Sequence, residues 1–221
     1  MKKLILALGF LWVGFGLAQG RYKLAVLKYQ GGGDWYANLE TSIPNLITFC
    51  NTQLQMSIHP EQAIVEILSP DLLQYPFIHI TGHGRIFLNS EERFRLAQYL
   101  KSGGFLHVSD NYGLDSYIRP ILNSLLPGVR LEAIPPGHPV FNAFYKFPKG
   151  LPKIHAHDQK PPEAWGLFYK GRMVCFYDVE CDLGDGWENP EIHQDSPEQH
   201  RKALEFGANL LYYIFSDLNT P

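Results

Sequence analysis

The residues best suited to chemistry fall in four short stretches. Thr81-Gly82-His83-Gly84 sets an imidazole between two glycines, where the backbone can turn sharply and leave the ring in a cleft. Ser109-Asp110-Asn111 offers a carboxylate at a second loop. His83 and Asp110 paired across neighbouring loops would raise the imidazole pKa and set its tautomer, as a general base requires. The same pair serves equally as a structural hydrogen bond tying the loops together. His155-Ala156-His157-Asp158 is a third stretch. In an extended segment His155 and His157 project to the same side, as two metal ligands must. With Asp158, and with Asp182 and Asp185 completing an oxygen-rich shell, they would suit a divalent metal: zinc, manganese or calcium. The spacing matches no standard metal loop, and Asp182-Leu183-Gly184-Asp185-Gly186 is too short for an EF-hand. A hydrogen-bonded loop core beneath Pro161-Pro162 is the competing expectation. The fourth stretch is Gln30-Gly31-Gly32-Gly33-Asp34-Trp35-Tyr36. Consecutive glycines before a helix bring backbone N–H groups close to a phosphate or carboxylate, or simply make a flexible turn. Neither the Walker spacing nor GxGxxG is present, so nothing specifies a nucleotide. Trp35, Tyr36 and Trp187 flank these loops and can wall a pocket or act as lids. His193 and His200 read as solvent-exposed.

The elements that must position these residues centre on 77–113. Phe77-Ile78-His79-Ile80-Thr81 is a short apolar strand, and Phe105-Leu106-His107-Val108 is a second. Between them Asn89 or Ser90 caps a helix whose first turn carries Glu91 and Glu92. Phe94, Ala97 and Leu100 share its inner face, and Gly103 suits its C′ position. A strand–helix–strand unit of this kind builds a parallel sheet, and both polar loops leave the carboxyl edge where such sheets bind ligands. Around this unit the pattern predicts a strand over 23–29, a helix over 38–54 with Pro44 in its first turns or at a kink, and a strand over 63–68. A helical turn opens at Pro70. A helix over 115–126 is broken or started at Pro120, and a strand follows over 129–134. Lys170-Gly171 joins an antiparallel hairpin of 165–169 and 172–178. Ser196-Pro197-Glu198-Gln199 is a capping box for a last helix that turns Leu204, Ala208, Leu211, Tyr212 and Phe215 inward.

Composition narrows the class. The chain has 221 residues, 45% of them apolar, and a formal net charge of -3 with no basic run. That suits one globular α/β domain and argues against nucleic acid as a partner. Lys2 and Lys3, the apolar run Leu4 to Leu17 and the small residues around Ala18 form a signal peptide over 1–20. The expected domain spans 21–216, with a tail over 217–221. The expected location is therefore outside the cytoplasm, periplasmic or extracellular, with membrane attachment only through an uncleaved signal segment. Cys50, Cys175 and Cys181 form neither a disulfide framework nor a zinc pattern. Cys50 reads as a buried small hydrophobe. A Cys175–Cys181 bridge and free thiols both stay open.

Thr81-Gly82-His83-Gly84, Gly103-Gly104-Phe105-Leu106, the segment Leu151-Pro152-Lys153-Ile154-His155 to Pro162, and Asp182-Leu183-Gly184-Asp185-Gly186-Trp187 together resemble a bacterial family, the domain of unknown function 4159. The resemblance implies a three-layer α/β/α, flavodoxin-like fold of the class I glutamine amidotransferase-like kind, and no established reaction. Enzymes of that wider group carry a nucleophilic cysteine on the turn after the strand that matches Phe105 to Val108. Here the turn reads Ser109-Asp110-Asn111-Tyr112-Gly113, so thiolate chemistry lacks its nucleophile. The expectation is a non-catalytic module of the cell envelope that binds a small molecule or a protein partner. Its ligand contacts would be Gly32, Asp34, Trp35, Gly82, Gly84, Asn111, Asp182, Asp185 and Trp187. The alternative is a hydrolase using His83 and Asp110, with or without a divalent metal at His155, His157 and Asp158.

Overall fold

The computed structural model describes residues 22–155, 159–216 and 219. Its strands are β1 (Leu24–Lys28), β2 (Ala63–Glu66), β3 (Phe77–Ile80), β4 (Phe105–Ser109), β5 (Glu132–Ala133), β6 (Glu163–Tyr169) and β7 (Arg172–Val179). Its helices are α1 (Ser42–Gln53), α2 (Ser90–Lys101), α3 (Asp115–Leu125), α4 (Leu183–Gly186), α5 (Pro190–His193) and α6 (Pro197–Phe215). Among the described residues the strands form a single sheet in the order β2-β1-β3-β4-β7-β6-β5. The first five in that order are parallel, and β6 and β5 continue antiparallel. This is a flavodoxin-like layout with an antiparallel pair added at one edge.

The central strands are buried on both faces, which is why they read as nearly unbroken apolar runs. Alternate residues divide between two cores. Ile78, Ile80, Leu106 and Val108 pack with Leu96, Tyr99 and Leu100 of α2 and with Ile118 and Leu122 of α3. Phe77, Phe105 and Phe176 pack on the opposite face with Leu46, Ile47 and Cys50 of α1 and with Phe206 and Leu210 of α6. Three layers result, with α2 and α3 on one side and α1 and α6 on the other.

Local chemistry sets the boundaries. Asn89 caps α2 in a full capping box with Glu92, and Ser196 does the same for α6 with Gln199. Lys170 and Gly171 both take positive φ, 51° and 78°, as a two-residue hairpin turn requires. Pro70 starts a 3-10 turn, and Pro44 lies in the first turn of α1.

Several expectations shift. Helix α1 begins at Ser42, because Trp35 to Thr41 form turns. Phe94 is 66% exposed, while Leu96, Ala97, Tyr99 and Leu100 face the core, so the inner stripe of α2 is rotated away from Phe94. Helix α3 runs through Pro120 unbroken, forfeiting one ladder bond at its middle. The strand expected over 129–134 shrinks to two residues at the sheet edge. All three cysteines are buried free thiols, so Cys175 and Cys181 are not bridged. The signal segment and most of the expected tail lie outside the described residues.

Gly104 marks a contact with no slack. A Cβ there would sit 2.3 Å from Cζ of Tyr99. That ring cannot retreat, because its hydroxyl shares its one proton between the Tyr75 and Phe105 carbonyls, at 2.8 and 3.0 Å. Gly104→Ala should destabilise the protein by about 2–3 kcal/mol through overpacking, read as a lowered urea midpoint at unchanged slope.

Candidate functional site

Strand order reverses between β1 and β3, and the loops leaving their carboxyl ends meet there. Asp34 follows the glycine loop after β1, and His83 follows β3. Nδ1 of His83 lies 3.0 Å from Oδ2 of Asp34, and Oδ1 of Asp34 also accepts the backbone N–H of His83. One carboxylate therefore grips both the backbone and the ring of the same residue. In the neutral imidazole Nδ1–H donates to Asp34, which leaves the lone pair on Nε2. The His83 side chain is 52% exposed. The pairing expected with Asp110 does not form, because Asp110 turns elsewhere.

Two of these glycines hold the loop against the chain itself. A Cβ on Gly31 would meet the Phe87 nitrogen at 2.7 Å, and Gly33 donates its N–H to the Arg85 carbonyl. The close approach that suggested an anion cradle is made by the chain's own 85–87 segment. Gly82, at φ +129°, would place a Cβ 2.6 Å from the Tyr29 hydroxyl, and Gly84 also has positive φ. Gly32 has open space around it.

Behind this rim lies a buried polar knot. Oδ1 of Asp185 accepts from Nδ2 of Asn38 at 2.7 Å and from Nδ2 of Asn111 at 2.5 Å. Oδ1 of Asn38 accepts from the Thr81 hydroxyl and from Nδ2 of Asn111. The pre-α1 turn, β3, β4 and the β7–α6 connection are thereby joined at one point. Glu188 joins through Asn38, at 3.0 Å.

Two histidines face this knot. Nδ1 of His155 lies 3.5 Å from Oδ2 of Asp182 and 3.7 Å from Oδ2 of Asp185, while its Nε2 is 2.8 Å from Oδ1 of Asp195. Nε2 of His193 lies 2.7 Å from Glu188 and 3.9 Å from Asp185. Hydrogen bonds to Asp182 and then Asp185 raise the His155 pKa to about 10. Burial pushes the Asp185 carboxyl up, but His155, His193 and Asn38 outweigh it and hold it below the usual range. A cavity of about 420 Å³ is lined by Ala37, Asn38, His83, His155, Asp185, Glu188, Ile192 and His193. The cavity thus gathers the His83 rim and the His155/His193 wall. His157 and Asp158 lie outside the described residues.

Other expected site residues have structural placements. Asp110 is buried and accepts from the N–H groups of Tyr112 and Leu114, capping the approach to α3. Trp187 is fully buried rather than a pocket wall, and its Nε1–H donates to the Ala203 carbonyl. Trp35 is partly buried and packs against both cores, with Tyr36 exposed beside it. Asn111 and Asp185 sit in the knot, and Asp182 opens α4 in the left-handed region.

Beneath the site runs a second polar line that the sequence reading passed over. Paired neighbours in β3 and β4, His79 and His107, approach at 2.9 Å between their Nδ1 atoms. Nε2 of His107 lies 2.8 Å from Oδ2 of Asp178, whose Oδ1 accepts the Ser109 hydroxyl at 2.9 Å. Ser109 Oγ in turn accepts the N–H of Gly184, next to Asp185. Trp187 lies against both rings, with centroids 5.4 and 5.1 Å away. Burial lowers His107 to about 3, pushes His79 well down and lifts Asp178 well above the carboxylate range. Burial thus favours the uncharged form of each.

Asn38, Glu188, His193 and Asp195 also escaped the sequence reading. One signal was available: Asp182, Asp185 and Glu188 recur every third residue, which puts carboxylates on one face of a helical segment. The repeated aromatic-aliphatic-His in Phe77-Ile78-His79 and Phe105-Leu106-His107 was the signal for the interior pair.

The family described as Domain of unknown function (DUF4159) matches residues 23–215. The chain belongs to that family. Its match spans β1 to the end of α6, so the rim, the knot and the histidine wall all fall within the family domain. No curated protein matches the chain.

Asp110 supplies a pH test of the site's edge. Burial lifts its carboxyl from 3.8 to about 6, against the pull of its backbone N–H bonds. Between those values the folded state holds more protons than the unfolded one, so its contribution to stability falls as pH rises from about 4 to about 6. Asp110→Asn should flatten that decline by about 1–2 kcal/mol, measured as urea stability across the interval.

Proposed function

We propose that the cavity is the active site of a hydrolase acting on a small polar substrate. The carrying observation is the His83–Asp34 dyad at 3.0 Å, half-exposed on the rim of a cavity with carboxylates inside. Asp34 orients the ring and stabilises the imidazolium that forms when Nε2 takes a proton from water. The resulting hydroxide attacks the substrate's electrophilic centre, and the same proton then passes to the leaving group. The cysteines supply no competing thiolate, since burial pushes Cys50 up to about 12 and raises Cys175 and Cys181 as well.

The same proposal puts the enzyme in the cell envelope, outside the cytoplasm. That rests on Lys2, Lys3 and the apolar run Leu4 to Leu17. A small-molecule substrate is the partner this reading favours over an envelope protein, because the dyad lines a concave cavity.

Chromogenic p-nitrophenyl esters, phosphates and glycosides test the reading directly. Turnover on at least one class should fall about 10²–10⁴-fold in His83→Ala. The melting temperature should stay unchanged, because the ring is half exposed. Full activity in His83→Ala, or no turnover of any class by the parent protein, would overturn it and favour a non-catalytic binding module.

A further inference from the structure

The cavity that His83 lines also carries a donor arrangement that the acid–base step does not use. One atom each from His155, Asp185 and His193 all lie within 4.8 Å of one another. Oδ2 of Asp185 is central, 3.7 Å from Nδ1 of His155 and 3.9 Å from Nε2 of His193. Around a zinc-like ion, with bonds of about 2.0–2.2 Å, neighbouring donors sit roughly 3–3.5 Å apart. From separations within 4.8 Å, the widest pair needs to close by roughly one to two ångströms at most.

Their supports are those a metal centre uses. Both amide donors on Asp185, from Asn38 and Asn111, go to Oδ1, and Oδ2 is left facing the two imidazoles. His155 presents Nδ1 to Oδ2 of Asp185 at 3.7 Å and of Asp182 at 3.5 Å, while Nε2 bonds Asp195 at 2.8 Å, the outer carboxylate contact that orients metal-ligating histidines. Glu188 lies 2.7 Å from His193 Nε2, beside the same point. Charge points the same way. Among the described residues, the cationic groups in ion-pair range of Asp185, Glu188 and Asp195 are these two imidazoles. With Asp182, 3.5 Å from His155, four carboxylates stand against two imidazoles, and a divalent cation offsets such an excess of acidic groups in a largely buried setting.

We propose that His155, Asp185 and His193 bind one divalent transition-metal ion of the zinc class, with Glu188 beside it. Two nitrogens and an oxygen suit such an ion better than magnesium or calcium, which take oxygen shells. The inference shares its cavity with the hydrolytic reading but rests on a separate set of atoms.

Calorimetric titration of zinc chloride into the full, untagged, chelator-stripped chain tests it. One ion per chain is expected, bound at micromolar concentration or tighter. His193→Ala, in a short and partly exposed helix, should weaken binding at least about tenfold, and Asp195→Asn about 10–100-fold. Both variants should keep the parent's circular dichroism. His83→Ala should bind zinc as the parent does while losing turnover, which separates the two readings. Absence of a saturable one-to-one site, or parental affinity in both His193→Ala and Asp195→Asn, would overturn the proposal.

Discussion

The carboxylate of Asp185 is the point on which the carboxyl edge of this sheet depends. It is buried, and a buried charge survives only where hydrogen bonds replace water. Asn38 and Asn111 supply those bonds from segments that lie far away in the chain, before α1 and after β4. Thr81 ties the two amides to β3. Moving any of these loops would strand an amide or a carboxylate without a partner. The cavity floor is therefore held more rigidly than loops at a sheet edge usually are, while His83 above it stays half exposed.

Below that floor the protein buries two imidazoles and a carboxyl group without separating charge. The low dielectric of the interior favours the neutral form of each, and the line of contacts lets them satisfy one another. His79 Nε2 is the exception, buried with no hydrogen-bond partner among the described residues. Its ring faces Trp187, so its loss of hydration is set against aromatic contact rather than another polar atom. The polar line and the aromatic packing occupy the same layer between β3, β4 and α6.

The parallel sheet, the capping box of α6 and the hairpin turn were legible because each rests on local chemistry: unbroken apolar runs, Ser three residues before Gln, and a Lys-Gly turn, whereas the cap of α2 stayed open between Asn89 and Ser90 until its box with Glu92 was seen. The carboxyl edge as the place of the candidate cavity was legible for the same reason, since polar loops end the central strands. Its pairings were not. His83 can reach Asp34 or Asp110 on sequence grounds alone, and the choice falls to Asp34 because Asp110 is occupied by the N–H groups ahead of α3. His193 reads as a surface residue until the Asn189–Asp195 turn brings it back over Asp185. Trp187 beside a glycine looks like a pocket wall, yet its indole is needed to fill the space above two histidines. Such choices depend on which partner arrives from elsewhere in the fold, and periodicity carries no record of that.

The strand order has a consequence for how the chain is made. β7 is the last strand in sequence, yet it lies inside the sheet, between β4 and β6. As the chain emerges from the ribosome, β2, β1, β3 and β4 can assemble early, with the long side of β4 left unpaired. That open edge persists until residues 172–179 have been synthesised, and an unpaired apolar strand edge is a template for association with other chains. The tight Lys170-Gly171 turn shortens the exposure, because β6 and β7 can form a ready-made ribbon and dock as a unit. The chain that closes the edge also delivers Asp185 and His193, so the nascent protein stops being sticky in the same step that completes its cavity.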